Sequence, residues 1–295
     1  MVNADKMIYN NDIRLWGDIM KIKILGSGGG EGFPAPFCSC EHCETARKMG
    51  GKSIRSLHQA IINDDLLIDF PIDTNSHCLR FSLNLGKLQN VLITHSHGDH
   101  YVPKLLSARR AGNAHFMKYE DIIFYGPSNL EQICDNTKIV DVARENVKFV
   151  PLSFQKQVKV GEYNVIPLKA QHAVQLGSMN YIIEQNGKSV LYLVDSGYPT
   201  EETFDFLKSL HKKFDLVVMD GTMGVLPPAS YIYHMGYEEN KMLKEELIKL
   251  GVTAPHTRFV VTHITHNQSE YHEKVEEIFA STGIEVAFDG IEIDI

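Results

Sequence analysis

The chain has 295 residues, 43% of them hydrophobic, which is enough to bury a sizeable core in a folded domain. Its formal net charge of −8 provides no basic surface of the kind that non-specific nucleic-acid binding needs, which argues against a nucleic-acid partner. No segment is apolar enough to predict a membrane span or a signal peptide, so we expect a cytoplasmic protein without a membrane partner.

Short apolar runs alternate with amphipathic segments throughout the chain, and this pattern predicts a mixed α/β fold. The polar residues 1–19 precede the first apolar run, so we expect an N-terminal extension at 1–19 and one domain at 20–295. The predicted strands lie at 21–25, 59–63, 66–69, 90–94, 122–125, 147–151, 163–170, 180–185, 189–195, 216–220, 258–262, 284–287 and 291–295. The predicted helices lie at 102–111, 128–136, 200–212, 237–250 and 269–280.

Polar residues stand at the C-terminal ends of several predicted strands. They are His95, His172, Asp195, Asp220 and His263. Loops that leave one edge of a sheet can bring such residues together, so we expect the functional site at that edge.

The segment His95-Ser-His97-Gly-Asp99-His100 holds three imidazoles and a carboxylate directly after the predicted strand at 90–94. Imidazole and carboxylate suit Zn²⁺, Mn²⁺ or Fe²⁺, and four such groups on one loop can serve two adjacent ions. The alternative is a polar loop that caps the next helix, but burying so many titratable groups without a metal is costly. The segment therefore predicts a binuclear metal centre, which suits displacement at a phosphoester.

The His-x-His-x-Asp-His motif after a buried strand resembles that of the metallo-β-lactamase superfamily, and the resemblance extends from Met20 to Ile295. It implies a four-layer αββα sandwich, with Asp69 holding the metal loop by hydrogen bonds. It also implies that one ion is held by His95, His97 and His172, the other by Asp99, His100 and His263, and both by Asp195. Taken alone, Asp195 is equally well explained as a turn residue after a strand.

Three of the five cysteines are crowded into the segment Cys38-Ser-Cys40-Glu-His-Cys43. In a reducing compartment such crowding predicts a metal site, and three reduced structural thiols are the alternative. Tetrahedral Zn²⁺ needs a fourth ligand, for which His42 and His266 are candidates by position. The preceding glycine-rich segment at 26–30 lacks the ending of a phosphate-binding loop, so we interpret it as a tight turn that lets backbone approach the metal site.

Together with a His-x-x-His pair at 263–266, the cysteine motif resembles a subgroup of the superfamily, the phosphoribosyl cyclic phosphate phosphodiesterases of the carbon-phosphorus lyase pathway. The resemblance implies a structural zinc site formed by Cys38, Cys40, Cys43 and His266. The segment at 221–236 is longer and more apolar than in a generic member, so it bears on substrate preference.

His234 precedes the predicted helix at 237–250, where the same subgroup and the ribonuclease Z enzymes carry a histidine that assists the leaving group. A simple capping loop is the alternative, but a histidine beside two metals can act as a general acid. The leading hypothesis is a metal-dependent phosphodiesterase for a small cyclic or diester phosphate. In it, a hydroxide shared by two metals attacks phosphorus, Asp99 or Asp195 orients the hydroxide, and His234 protonates the departing oxygen.

Other functions are compatible with the sequence, among them a β-lactamase or a thioesterase, although the thiol-rich N-terminal segment is unlike either group. A ribonuclease Z-like nuclease would share the metal loop and His234, but the charge of −8 argues against it. An accessory protein of a biosynthetic pathway would share the fold without simple hydrolysis, because metal ligands alone do not prove turnover. We therefore expect a small phosphate-ester substrate, two catalytic Zn²⁺ or Mn²⁺ ions and one structural Zn²⁺. A homodimer is compatible with the sequence.

Overall fold

Two seven-stranded sheets form the centre of the computed structural model, which describes residues 19–138 and 144–295. The strands in these ranges are β1 (Lys21–Gly26), β2 (Gln59–Ile62), β3 (Leu66–Ile68), β4 (Asn90–Leu92), β5 (Ile122–Gly126), β6 (Val147–Pro151), β7 (Val158–Val160), β8 (Tyr163–Lys169), β9 (Met179–Gln185), β10 (Lys188–Leu193), β11 (Phe214–Asp220), β12 (Thr253–Thr262), β13 (Glu285–Val286) and β14 (Glu292–Asp294). The helices are α1 (Glu41–Met49), α2 (Thr74–Phe81), α3 (Leu130–Asn136), α4 (Glu201–Ser209), α5 (Tyr237–Lys249) and α6 (His272–Phe279).

The two sheets have the same plan. The first has the strand order β14-β1-β2-β3-β4-β5-β6, and β3 to β6 are parallel neighbours. The second has the order β13-β12-β11-β10-β9-β8-β7, and β10 to β13 are parallel neighbours. The C-terminal ends of the parallel strands in each sheet therefore lie along one edge, as the positions of the polar strand-end residues predicted.

The apolar side chains of a central strand alternate between two cores. In β10, Val190 and Tyr192 enter the core between the sheets, whereas Leu191 and Leu193 enter the core beneath the helices. Helices cover both outer faces, so these strands are apolar on both sides. The helix residues of the outer cores include Leu207, Leu247 and Phe279 on the second sheet and Leu130 and Cys134 on the first. This arrangement confirms the predicted αββα sandwich.

Some predicted elements were wrong or were missed. The segment predicted as a helix at 102–111 is a 3₁₀ helix at Pro103–Arg109, which begins with a proline that cannot donate a backbone hydrogen bond. Helix α2 was missed because its sequence, TNSHCLRF, carries little apolar periodicity. Helix α1 was missed because the cysteine motif runs into it, and its N-cap is Cys40, whose sulfur accepts from the backbone N–H of Cys43.

The proposed boundary between the extension and the domain falls at the limit of the described residues, since 1–18 lie outside them. Strand β1 is fixed at its start by two hydrogen bonds between the backbones of Met20 and Ile295. Within the described ranges, no helix is both long enough and apolar enough to cross a membrane.

Candidate metal centre

The first group of donor atoms belongs to His95, His97, His172 and Asp195, each of which contributes one atom within 4.8 Å of the others. His95 Nε2 lies 2.9 Å from His97 Nδ1 and 3.1 Å from Asp195 Oδ2. His172 Nε2 lies 3.1 Å from His97 Nδ1 and 3.5 Å from Asp195 Oδ2. Four donors placed tetrahedrally about 2.1 Å from an ion stand about 3.4 Å apart, so these separations suit one divalent cation.

The second group consists of Asp99, His100, His263 and, again, Asp195. His100 Nε2 lies 3.3 Å from Asp99 Oδ2, 3.1 Å from Asp195 Oδ2 and 3.3 Å from His263 Nε2. His263 Nε2 is 3.9 Å from Asp195 Oδ2. The same oxygen of Asp195 therefore faces both groups, which is the position of a bridging ligand between two ions.

The remaining ring nitrogen of three of these histidines faces a hydrogen-bond acceptor outside the groups. The contacts are His100 Nδ1 to Asp69 Oδ2 at 2.8 Å, His263 Nδ1 to Thr222 Oγ1 at 2.7 Å and His172 Nδ1 to the Tyr233 carbonyl oxygen at 3.4 Å. Metal-binding histidines usually donate their other N–H in this way, which fixes the ring and its tautomer. The nitrogen atoms left facing inward are then free to coordinate.

The charges of the centre also suit two divalent cations. Four carboxylates surround it, Asp69, Asp99, Asp195 and Asp220, and all except Asp99 are nearly completely buried. The Oδ1 atom of Asp195 is buried without a hydrogen bond of normal geometry, although His234 Nδ1 lies 3.0 Å away. Burying carboxylates is costly unless they are paired, so the residues present fit a centre that holds cations.

Protons partly balance these carboxylates in the metal-free chain. Burial alone would lower the pKa of His100, but the carboxylates of Asp69, Asp99 and Asp195 raise it well above its usual value. Burial raises the pKa of Asp195, but the surrounding histidines lower it more strongly. The pKa of Asp195 therefore lies well below its usual value. Metal ions compete with protons for such donors, so we expect their binding to release protons.

Three residues of the centre have backbone conformations that side chains other than glycine rarely adopt. Asp69, Asp195 and His263 have φ angles of 65°, 54° and 59°. A positive φ angle at such a residue costs free energy, so it persists only where the surrounding structure imposes it. Residues of this kind are often found at functional sites.

Asp69 makes the hydrogen bonds to the metal loop that the family resemblance implies. Its Oδ1 accepts hydrogen bonds from the backbone N–H and the hydroxyl of Thr94, and its Oδ2 accepts from His100 Nδ1. It lies outside both donor groups, so it holds the metal loop without being one of the inward donors.

Replacing Asp69 with asparagine is expected to lower metal affinity about 10- to 100-fold, because the ring of His100 loses the carboxylate that orients it. The measurement is a titration with a chelating competitor of known affinity. Asp215→Asn is the matched control, since Asp215 accepts from the Ser189 backbone at the opposite end of β11 and should leave metal affinity unchanged. Equal affinities in the two variants would contradict the bracing role.

Asp220 is part of the centre, although its position in the sequence indicated only that it stands at the end of a strand. Its Oδ2 lies 3.3 Å from His234 Nδ1 and 3.5 Å from His263 Nδ1, and its Oδ1 accepts from the backbone N–H groups of Thr222 and Met235. It thus holds two histidines in place at once. Asp220 also forms, with Asp195, His234 and His263, a third group of possible metal donors that overlaps the second.

His234 lies beside both donor groups with 14% of its side chain exposed. Burial lowers its pKa, but the carboxylates of Asp220 and Asp195 outweigh that effect and raise the pKa of His234 to about 10 in the metal-free chain. Its Nδ1 faces these two carboxylates, so Nε2 is the nitrogen on the opposite side of the ring.

A buried polar bridge lies behind the second donor group and was not predicted. His58 contacts the Tyr192 hydroxyl through Nε2 and the Thr262 hydroxyl through Nδ1, and its ring is edge-on to that of His263 at 5.9 Å. Burial and the nearby His263 and His100 lower the pKa of His58 well below its usual value. The neutral ring joins the first sheet to β10 and β12, the strands that precede Asp195 and His263.

The sulfur atoms of Cys38, Cys40 and Cys43 form a separate group of possible metal donors with a nitrogen of His266. Cys40 Sγ lies 3.7 Å from His266 Nδ1, which is close to the separation expected for two ligands of one tetrahedral Zn²⁺. The other nitrogen of His266 is 2.9 Å from Glu31 Oε1, whereas His42 faces Glu270 and lies outside the group. Of the two histidines suggested by position, His266 is therefore the one near the sulfur atoms.

The thiols of this group differ in acidity. Burial raises the pKa of Cys40, but hydrogen bonds from the Cys43 backbone and from His266 lower it overall, to about 6. Burial and the neighbouring sulfur atoms of Cys40 and Cys38 raise the pKa of Cys43 to about 12. Cys40 thus offers a ready thiolate at neutral pH, and binding a cation would favour deprotonation of Cys43.

The glycine-rich segment forms a tight wall of the cleft above the centre. A Cβ atom at Gly29 would lie 2.5 Å from Thr265 Cγ2 and 3.2 Å from the ring of His263, and one at Gly30 would lie 3.5 Å from Asp99 Oδ2. The backbone therefore approaches the centre as closely as the sequence suggested. The cleft has a volume of about 390 Å³. It is lined by Gly30, Glu31, His97, Asp99, His172, Asp195, Thr222, Met223, His234, His263, Thr265 and Asn267.

Solved structures resemble the whole fold. A diphosphatase of the PhnP family superposes with a TM-score of 0.70 at 20% identity, over 94% of this chain and 97% of the other. Zn²⁺-bound PqqB from Methylobacterium extorquens gives a TM-score of 0.66 at 18% identity, over 93% and 100%. The short form of human tRNase Z gives 0.62 at 17% identity, over 92% and 98%. At these identities, the similarities establish the fold alone.

Family membership comes from the sequence itself. A search of curated proteins finds no match. The model of the beta-lactamase superfamily domain matches residues 67–264, which is more than half of the chain and includes every inward donor of both groups. The metal loop, the paired sheets and this match agree, and the chain belongs to the metallo-β-lactamase superfamily.

Proposed function

We propose that the chain is a metal-dependent hydrolase that cleaves a small cyclic or diester phosphate. The observation that carries this proposal is the pair of donor groups that share Asp195 beside His234, at the bottom of one cleft. His95, His97 and His172 would hold one divalent ion, Asp99, His100 and His263 the other, and Asp195 both. When bound, two such ions would activate water and offset the negative charge that develops on phosphoryl oxygens.

Asp99 and Asp195 would have different roles in the reaction. Asp99 lines the cleft and has 19% of its side chain exposed, so it is placed to accept a hydrogen bond from the attacking water and orient it. Asp195 also lines the cleft but has only 2% of its side chain exposed. Asp195 would mainly hold the ions together, and Asp99 would mainly align the nucleophile.

His234 would protonate the departing oxygen. Its Nδ1 faces Asp195 and Asp220, which fixes the ring and leaves Nε2 as the nitrogen available to a substrate. Protonation by a positioned histidine removes the need to expel an alkoxide, which is the costly part of cleaving an alkyl ester. Asp220 would act through His234 by holding it in place.

A small substrate is favoured over a nucleic acid. The residues that line the cleft in the described chain include no lysine or arginine, and Glu31 adds a further negative charge. The positive charges that face a substrate would therefore be the metal ions and the proton on His234, and so few charges suit one phosphate group better than a chain of phosphates. The similarity to a PhnP-family diphosphatase is in keeping with chemistry at phosphorus.

The group formed by Cys38, Cys40, Cys43 and His266 would hold a structural Zn²⁺. All four positions would be filled by protein, which is typical of structural rather than catalytic zinc sites. The site would join the start of α1 and the loop before it to the loop after β12, which also carries His263.

The test is metal analysis of the purified protein combined with assays on bis(p-nitrophenyl) phosphate and a five-membered cyclic phosphate. We expect about three metals per chain and cleavage that disappears after chelation and returns with Zn²⁺ or Mn²⁺. Bound metals without cleavage of either phosphate would contradict the phosphodiesterase and favour another ester or an accessory role. Cleavage that survives complete removal of metal would contradict the metal-dependent mechanism.

A further inference from the structure

A row of large side chains stands exposed immediately before His234. Tyr231, Ile232 and Tyr233 have 46%, 65% and 42% of their surface exposed. Single exposed apolar residues are common, but three in succession directly before a residue that lines the cleft, His234, are typical of a binding surface.

The backbone of this row is held firmly against the centre, so its exposure does not result from a loose loop. A Cβ atom at Gly197, two residues after Asp195, would lie 1.9 Å from the Ile232 carbonyl oxygen, which means that the two segments pack backbone to backbone. The Tyr233 carbonyl oxygen lies 3.4 Å from His172 Nδ1. The row thus has a fixed position relative to the donors on both sides.

The ring of Tyr231 lies beside His234, and the ring of Tyr233 extends this aromatic surface. The ring of Tyr231 lies nearly parallel to that of His234, with centroids 5.7 Å apart and 11° between the planes, and the ring of Tyr233 meets Tyr231 edge-on at 5.5 Å. A general acid must stand on the side from which the leaving group departs. With His234 as that acid, Tyr231 and Tyr233 stand on the leaving-group side of the cleft.

We propose that Tyr231 and Tyr233 form a platform that binds the leaving alcohol, so that the enzyme prefers phosphodiesters whose leaving group carries an aromatic ring. This inference rests on the proposed function, because it depends on the role of His234. A flat ring can stack on a tyrosine, whereas a leaving group that carries a second phosphate finds no lysine or arginine among the described residues of the cleft.

The test compares two substrates of the zinc-loaded enzyme, methyl phenyl phosphate and methyl trifluoroethyl phosphate. Their leaving groups are both fairly acidic, but only one has a ring. The measured quantity is the ratio of kcat/KM for the phenyl ester to that for the trifluoroethyl ester, in which effects common to both substrates cancel. We expect Tyr231→Ser to lower this ratio about tenfold, because stacking is lost, and Tyr231→Phe to keep it.

Ile248→Ser is the matched control, because Ile248 is 53% exposed on α5 and lies outside the row. It should leave the ratio unchanged. If Tyr231 only supported His234, both kcat/KM values would fall in Tyr231→Ser, and the value for the more basic trifluoroethoxide would fall at least as far. A ratio that does not fall would therefore overturn the platform while leaving the phosphodiesterase intact.

Two further outcomes distinguish a failure of this inference from a failure of the proposed function. If the wild-type enzyme cleaves neither ester, the platform is judged by whether Tyr231→Ser loses the preference for phenylphosphonate over methylphosphonate in calorimetric binding. The proposed function fails only if bis(p-nitrophenyl) phosphate and the cyclic phosphate also stay uncleaved. If sedimentation instead shows a dimer that Tyr231→Ser dissociates, the row is a contact between copies of the chain, and the platform is wrong.

Discussion

Replacing Asp195 with asparagine is expected to abolish the binuclear centre, with metal content falling from about three ions per chain to about one, held by the cysteine group. Asp195 Oδ2 faces both donor groups, so one neutral amide weakens both sites at once. Two ions contribute several kcal/mol to stabilising a phosphoryl transition state, so turnover should fall on the order of a thousandfold.

The measurement combines metal analysis with kcat on bis(p-nitrophenyl) phosphate. Asp215→Asn makes the same chemical change at the far end of β11 and should keep the wild-type metal content and rate. An Asp195→Asn protein that holds a full set of metals and turns over normally would remove Asp195 from the bridging role.

The second large effect is expected for His234→Ala. General acid catalysis contributes about 10² to 10⁴ in rate, and the contribution is needed only when the leaving oxygen is basic. We therefore expect kcat for an alkyl leaving group to fall by about a hundredfold or more, whereas p-nitrophenolate, which leaves without a proton, should be affected less than about tenfold.

Metal content should stay unchanged in His234→Ala, which separates this role from that of a ligand. The distinction matters because His234 also belongs to the third group of possible donors, with Asp195, Asp220 and His263. Loss of a metal ion together with an equal fall for both kinds of substrate would show that His234 binds metal instead. His256→Ala, which removes an exposed histidine at the start of β12, is the control.

The sequence was informative where the pattern is local. Alternation of apolar residues predicted most strands to within two residues, because both faces of the central strands are buried and nearly every position carries the signal. The metal loop was evident because its donors are adjacent in the chain. Donors that arrive singly, such as His172 and Asp195, were identified only through the order implied by the family resemblance.

Residues whose roles depend on tertiary contacts were not identified. His58 is one histidine beside an apolar run, and nothing in the sequence places it between Tyr192 and Thr262. Asp220 was noted as a strand-end residue, but its contacts with His234 and His263 require the packing of β11 against the loop before α5. The extra strand residues 253–257 were missed because that part of β12 is partly exposed and lacks apolar alternation.

The division of each donor group between the two sheets has a consequence for biosynthesis. His97 and His100 follow β4 of the first sheet, whereas Asp195 and His263 follow strands of the second, and 163 positions of sequence separate His100 from His263. At 5–20 residues per second, roughly 10–30 s of translation separate these two histidines. The early histidines therefore emerge from the ribosome as an incomplete chelator, and neither site can close around an ion until the second sheet has been made and has docked on the first.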